Sequence, residues 1–286
     1  MTPPISPPMP WCARVDLEYL RPPGSARTVA RFRHEGPLRL LQSLYPEGEG
    51  ICHNVLIHPP GGLVGGDRLD IRIDAQTGSH GLVTTPGATR YYRSEGETAV
   101  QYTRITVRSN ARIEWLPLET LCYDGCLAEN RLRLELEPQA ELIGWDLLAL
   151  GLPNAGKPFL RGHVLQHLEL ADAWLESGRI DGGDTYLLES PVGLAGQRCL
   201  ATVFFTTGSP LPPQQREHAL AVARAVIADD PLYASAGATS PDPRVVVVRA
   251  LAPLVEPAMQ LCQRVRARWR SELWQLHGAP PRVWAI

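Results

Sequence analysis

No stretch of this 286-residue sequence reaches the roughly 18 uninterrupted apolar residues that a membrane-spanning helix needs. The opening MTPPISPPMPW has neither the basic start nor the apolar core of a secretory signal. Both absences predict a cytoplasmic protein with no membrane partner. Charge of one sign is lacking too: Lys plus Arg number 28 against 30 for Asp plus Glu, a formal net charge of -2. Such a balance supplies no field to attract nucleic acid, so none is expected as a partner. The six cysteines are too thinly spread for the disulfide framework of a small secreted domain, and they read as free thiols, mostly buried.

Signatures of familiar chemistry are also missing. No Gly-Lys-Ser/Thr follows the glycine-rich segment, and the next element reads as a strand, so phosphate-cradling loops lack their helix. The G-x-S-x-G elbow is absent, and the one Cys-His doublet, Cys52-His53, sits in an apparent strand where neighbours point to opposite faces. Cys122 and Cys126 have no second cysteine pair or nearby histidine to complete a zinc set and are read as buried thiols. The eight histidines are dispersed; His163 and His167 share a strand face, as a small ligand pair or a polar stripe.

What is present is mostly strand. Leu69, Ile71 and Ile73 alternate with Asp70, Arg72 and Asp74, the period of a half-buried strand. Val100 to Val107, Leu132 to Leu136 and Val164 to Leu170 repeat it, with turn pairs such as Pro86-Gly87 and Gly182-Gly183 between runs. Helical spacing is predicted only late, at about 214–228 and about 254–276, the second ending at His277-Gly278. Arg264, Arg266, Arg268 and Arg270 on that last helix read as a solvated polar face or a docking face for an acidic partner. Residues 1–10 hold five prolines and are expected to form a flexible leader, with one β-rich domain over 11–286.

Three segments concentrate unusual chemistry. His58-Pro59-Pro60-Gly61-Gly62-Leu63-Val64-Gly65-Gly66-Asp67 packs four glycines and two prolines into ten residues, a conformational cost that a neutral loop need not carry. It reads either as a tight connection held by His58 and Asp67 or as part of a metal path, since imidazole and carboxylate both coordinate nickel. In TPGATRYYRS, at 85–94, Arg90, Tyr91 and Arg93 are types enriched at interface centres, although the arginines can equally pair with carboxylates inside the fold. In EWLPLET, at 114–120, and the residues after it, Glu119 and Asp124 are candidates for an acid–base pair.

These three segments, with SPVGLAG at 190–196 and the closing PPRVW at 280–284, resemble the UreD (UreH) family of urease accessory proteins, in the same order. The resemblance implies a mainly β fold of two stacked sheets with helix-like strand winding and a small helical part near the C-terminus. It implies a scaffold and metallochaperone rather than an enzyme, one that binds urease apoprotein and, through UreF, the GTPase UreG. GTP hydrolysis and lysine carbamylation then belong to UreG and urease. No cofactor is expected to be permanently bound, only transient nickel. Carried onto this sequence, it makes His58, Asp67, Glu119 and Asp124 a nickel path, with His58 and Asp67 as transient ligands. Gly61, Gly62, Gly65, Gly66, Arg90, Tyr91 and Arg93 become partner-binding or loop-structuring residues. Leu118 and Cys126 depart from the family pattern, which often has glutamine and a small residue there. The competing classes are a stand-alone β-rich hydrolase, which requires a pocket joining Glu119, Asp124 or a histidine, and a β-sandwich binding module, which requires an open groove of exposed aromatics.

Overall fold

A computed structural model describes residues 10–277 and 280–285; most of the expected leader, residues 1–9, lies outside them. The chain opens with β1 (Cys12–Leu20), β2 (Val29–Glu35), β3 (Arg39–Leu40), β4 (Cys52–Ile57), β5 (Arg68–Ala75) and β6 (His80–Thr84). It continues through β7 (Thr89–Tyr91), β8 (Ala99–Val107), β9 (Arg112–Leu116), β10 (Thr120–Cys122), β11 (Leu127–Leu136) and β12 (Glu141–Leu150). After β13 (His163–Leu170), β14 (Trp174–Asp181), α1 (Thr185–Glu189) and β15 (Cys199–Thr207) come α2 (Pro213–Ala228), β16 (Ala236–Asp242), β17 (Val245–Ala252) and α3 (Val255–Trp274).

From β4 to β13 the chain changes sheet at almost every step. The seven-stranded first sheet contains β1, β5, β8, β11 and β13 as parallel neighbours, closed by antiparallel β2 and β14. The ten-stranded second sheet contains β4, β6, β9 and β12 in parallel, then antiparallel β15, β17 and β16. The strands are thus wound like a flattened coil, as the family resemblance implied.

Burial explains which strands the alternation found. In the first sheet Leu69, Ile71 and Ile73 point inward and the residues between them carry charge outward. The second sheet is covered on both faces, so β12 is buried at every residue after Glu141 and reads as a continuous apolar run. Its outer face packs under α2 and α3, with Trp145, Phe205 and Trp269 in that layer. Between the sheets, the Tyr19 ring lies flat on Gly81, where any Cβ would collide with it.

Two expectations about α3 are corrected. The helix ends at Trp274 with Gln275 in the left-handed conformation, earlier than His277-Gly278, because the Arg270 carbonyl accepts the N–H groups of Gln275 and Leu276. Arg266 and Arg270 are not a solvated face. They are 2% and 1% exposed and aimed into the sheet, where Glu114 is fully buried. Arg266 Nε donates to Glu114 Oε2 at 2.7 Å, and Arg270 Nε lies 3.2 Å from Oε1. His80 Nε2 lies 3.3 Å from the same Oε1. Arg270 also donates to Glu47 at 2.8 Å, and Glu47 holds His53 at 2.9 Å. The helical period cannot separate a buried charged face from a wet one. Arg264 and Arg268, by contrast, stay partly exposed, paired with Asp230 and Glu272.

Burial alone would raise the Glu114 carboxyl, but Arg266, His80 and Arg270 overrule it and hold it down at about 2. Glu114→Gln leaves two buried guanidiniums facing a neutral amide and is expected to cost about 3–5 kcal/mol in denaturant unfolding. The wild-type contribution is full above the ordinary carboxyl value of 4.5 and fades as pH falls toward about 2. The variant is expected to show a flatter loss of stability across that acid window.

Candidate functional site

The three unusual segments meet. β7 and β10 pair in parallel, Thr89 with Thr120, Arg90 with Leu121 and Tyr91 with Cys122. The glycine-rich loop adds one further bridge: Leu63 N donates to Arg90 O at 2.7 Å and Tyr92 N to Leu63 O at 2.8 Å. Gly62 permits this approach, since a Cβ there would strike the Tyr92 ring. Gly61, at φ +78°, turns the chain with its N–H on His58 O at 2.8 Å. Gly65 and Gly66 lie against Ser94 and Glu97 in the same way.

Asp67 is buried, and its two oxygens accept Trp11 N at 2.8 Å and Val64 N at 2.9 Å. His58 is half-buried; burial, partly offset by Asp67, lowers its pKa, and its Nε2 is enclosed with no hydrogen-bond partner among the described residues. Asp124 turns outward and holds the next loop: it accepts Leu160 N at 2.9 Å and Arg161 N at 2.8 Å, and pairs with the Arg161 guanidinium. Burial opposes its ionisation, but these hydrogen bonds outweigh it and lower its pKa. Glu119 has other neighbours: its backbone carbonyl takes Thr89 N at 2.9 Å. Its charge adds to the burial that pushes the Cys199 thiol up to about 12. Glu119 and Asp124 therefore serve different surroundings.

Arg90 and Arg93 are exposed, while Tyr91 between them points inward and donates its hydroxyl to Glu129 O at 3.1 Å. Tyr92 stacks on Tyr123 with ring centroids 5.1 Å apart. Cys122 and Cys126 are fully buried free thiols, and contact between them, with burial, raises Cys122 well above its ordinary value.

Sequence reasoning missed the residue at the centre of this end of the fold. Asp146 lies in the space between the sheets, 8% exposed, with Asn130 Nδ2 donating at 2.8 Å and the Gln166 amide on its other oxygen. Burial pushes its carboxyl up to about 6 against those two hydrogen bonds. Gln101 extends the line through Asn130, so a polar thread crosses an otherwise apolar interior. The signal was a single acid inside the run ELIGWDLLAL. Among the described residues no three His, Cys, Asp or Glu side chains converge as a metal-holding group. No described helix is long and apolar enough to cross a membrane.

Asp67→Ala strips two backbone N–H groups of their acceptor. The Trp11 and Val64 amides are expected to exchange hydrogen at least tenfold faster, about 1.4 kcal/mol or more, while those of β8 keep their protection. Mass-spectrometric hydrogen exchange reads both.

The model of the UreD urease accessory protein family matches residues 12–285. Urease accessory protein UreD of Variovorax paradoxus is 61% identical over 277 residues, 97% of this chain and 100% of that protein. The Polaromonas naphthalenivorans protein of the same name is 61% identical with the same shares covered, and that of Methylibium petroleiphilum is 49% identical over 96% and 99%. With the motif segments gathered at one end of a coil of two sheets and the match running nearly end to end, the chain belongs to the UreD family of urease accessory proteins.

Proposed function

We propose that this chain is a non-catalytic urease maturation factor, a cytoplasmic scaffold and metallochaperone. It binds urease apoprotein and, through UreF, the GTPase UreG, and it helps deliver nickel to the urease active site. Family membership supports the role in maturation, and the buried carboxylate of Asp146 is the observation that favours passage of a cation through this chain.

A conduit needs groups that accept an ion briefly, because a full ligand set would retain it. The Asp146 carboxylate and the thiols beside it fit that need better than a closed site does. His58 can add a neutral imidazole, its enclosed Nε2 being free of hydrogen bonds among the described residues. Asp67, Glu119 and Asp124 remain in the proposed path as carboxylates at or beside the motif segments. Since Asp146 carries a proton below about pH 6, entry of a divalent cation displaces that proton, and transfer should weaken as pH falls through this value. Glu119 and Asp124 have separate surroundings, which weighs against the acid–base pair between them that a hydrolase reading would use.

The test is co-expression with UreF, UreG and urease apoprotein, comparing wild type with Asp146→Asn and His58→Ala. Complexes of unchanged mass are expected, with the nickel content and activity of urease down several-fold for Asp146→Asn and less for His58→Ala. Full nickel loading by Asp146→Asn at unchanged complex yield would remove Asp146 from the path.

A further inference from the structure

At the strand ends opposite the motif segments, the coil turns three corners that are built alike. The turns 76–79, 108–111 and 137–140 each close with the fourth N–H donating to the first carbonyl, at 3.0, 2.9 and 3.0 Å. They stack in register, with Arg112 N on Ser79 O at 2.9 Å and Glu141 N on Ala111 O at 3.1 Å. The third residue of each is left-handed: Gly78 at φ +73°, Asn110 at +58° and Gln139 at +65°. Glycine is the unstrained choice there, so two carboxamides occupy positions that the backbone alone would leave without a side chain. Gln139 donates its backbone N–H to Ser209, while its carboxamide and that of Asn110 make no hydrogen bond among the described residues.

These corners line a polar pocket of about 340 Å³. His80, Arg112 and Glu141 stand side by side in it, at the starts of β6, β9 and β12. His80 is buried beside Glu114 and forms part of the wall. Arg112 Nε donates to Glu141 at 2.8 Å, and the guanidinium lies over the Trp274 ring, 5.2 Å from its centroid, so its plane is fixed from two sides. Its terminal nitrogens have no partner among the described residues. Arg21, just after β1, donates to Ser25 O at 2.9 Å and forms no ion pair among the described residues. Two guanidiniums therefore meet one carboxylate, and that carboxylate is already paired.

We infer that this pocket binds a small oxyanion, a sulfate-, phosphate- or carboxylate-type group that presents two or three oxygens together. Arg112 offers paired terminal donors already held in a plane, the geometry that suits two oxygens of one group. Arg21 supplies the positive charge that Glu141 does not cancel. The carboxamides of Asn110 and Gln139 add neutral N–H donors at the corners. A cation fits poorly, since both guanidiniums stand against it and Glu141 is engaged. The pocket shares no residue with the proposed cation path.

Titration calorimetry of the full-length chain with sodium sulfate and with sodium acetate, at an ionic strength held constant by sodium chloride, tests this. One saturable site is expected for at least one of the two anions. Tighter sulfate identifies a tetrahedral dianion as the ligand type, and tighter acetate a carboxylate. Arg21→Ala, at an exposed position, is expected to raise Kd about tenfold. Asn110→Gly is expected to raise it several-fold; glycine relieves the left-handed residue, so that loss cannot be blamed on a damaged turn. In NMR spectra of the nitrogen-labelled chain, the Arg112 Nε–H signal is expected to shift and saturate with the same Kd. Absence of saturation with both anions overturns the inference, and so does a Kd within twofold of wild type for both variants.

Discussion

Glu114 is an acid with no access to water, answered by His80 and by the two guanidiniums that α3 brings to it. Taking an ionised carboxylate out of water costs several kcal/mol after relaxation, so an unpaired Glu114 would be neutral or the strand β9 would be displaced. The ion cluster therefore ties three parts of the chain that have no sequence proximity: the loop at Glu47, the middle of the second sheet and the C-terminal helix. Apolar packing of Trp269 and Phe205 gives the helix its place over the sheet, and the charges fix its rotation and register. The tail continues the same closure, with Trp284 donating to Thr84 at 2.8 Å and its ring packed on Trp145.

The meeting of the motif segments is organised by backbone rather than by charge. Leu63, β7 and β10 join edge to edge through main-chain hydrogen bonds, and glycines at 61 and 62 allow the loop to come that near. Side chains released from holding the loop, Arg90 outside and Tyr91 inside, are then presented on opposite faces of one short strand. The polar interior around Asp146 lies directly behind this wall.

Much of this was legible in advance, and the failures are instructive. Period-two patterning marked β5 because its outer face meets water, and it said nothing of β12, which has apolar neighbours on both sides. The late helices were found because each is bordered by prolines or polar residues and shows a clear stripe. The short α1 was missed; five residues capped by Asp184 carry too little periodicity to register. The motif segments were recognised as unusual, yet their convergence depends on parallel pairing between strands about 30 residues apart, which local pattern does not encode. Arg266 and Arg270 looked like solvent-facing charge, since their buried partner lies in another part of the chain. Asp146 was hidden in plain view as one polar letter in an apolar run.

The pairing of Arg266 with Glu114 spans 152 positions of sequence. During synthesis from the N-terminus, every strand of the winding coil is therefore made before the cations that neutralise its central acid exist. Contacts of such separation form late and slowly, and until they form the second sheet has a bare apolar face with an unanswered charge in it. A nascent or truncated chain of this kind is a candidate for aggregation in a way the finished fold is not. Only with the twenty residues of the last long helix is that charge answered and that part of the face covered.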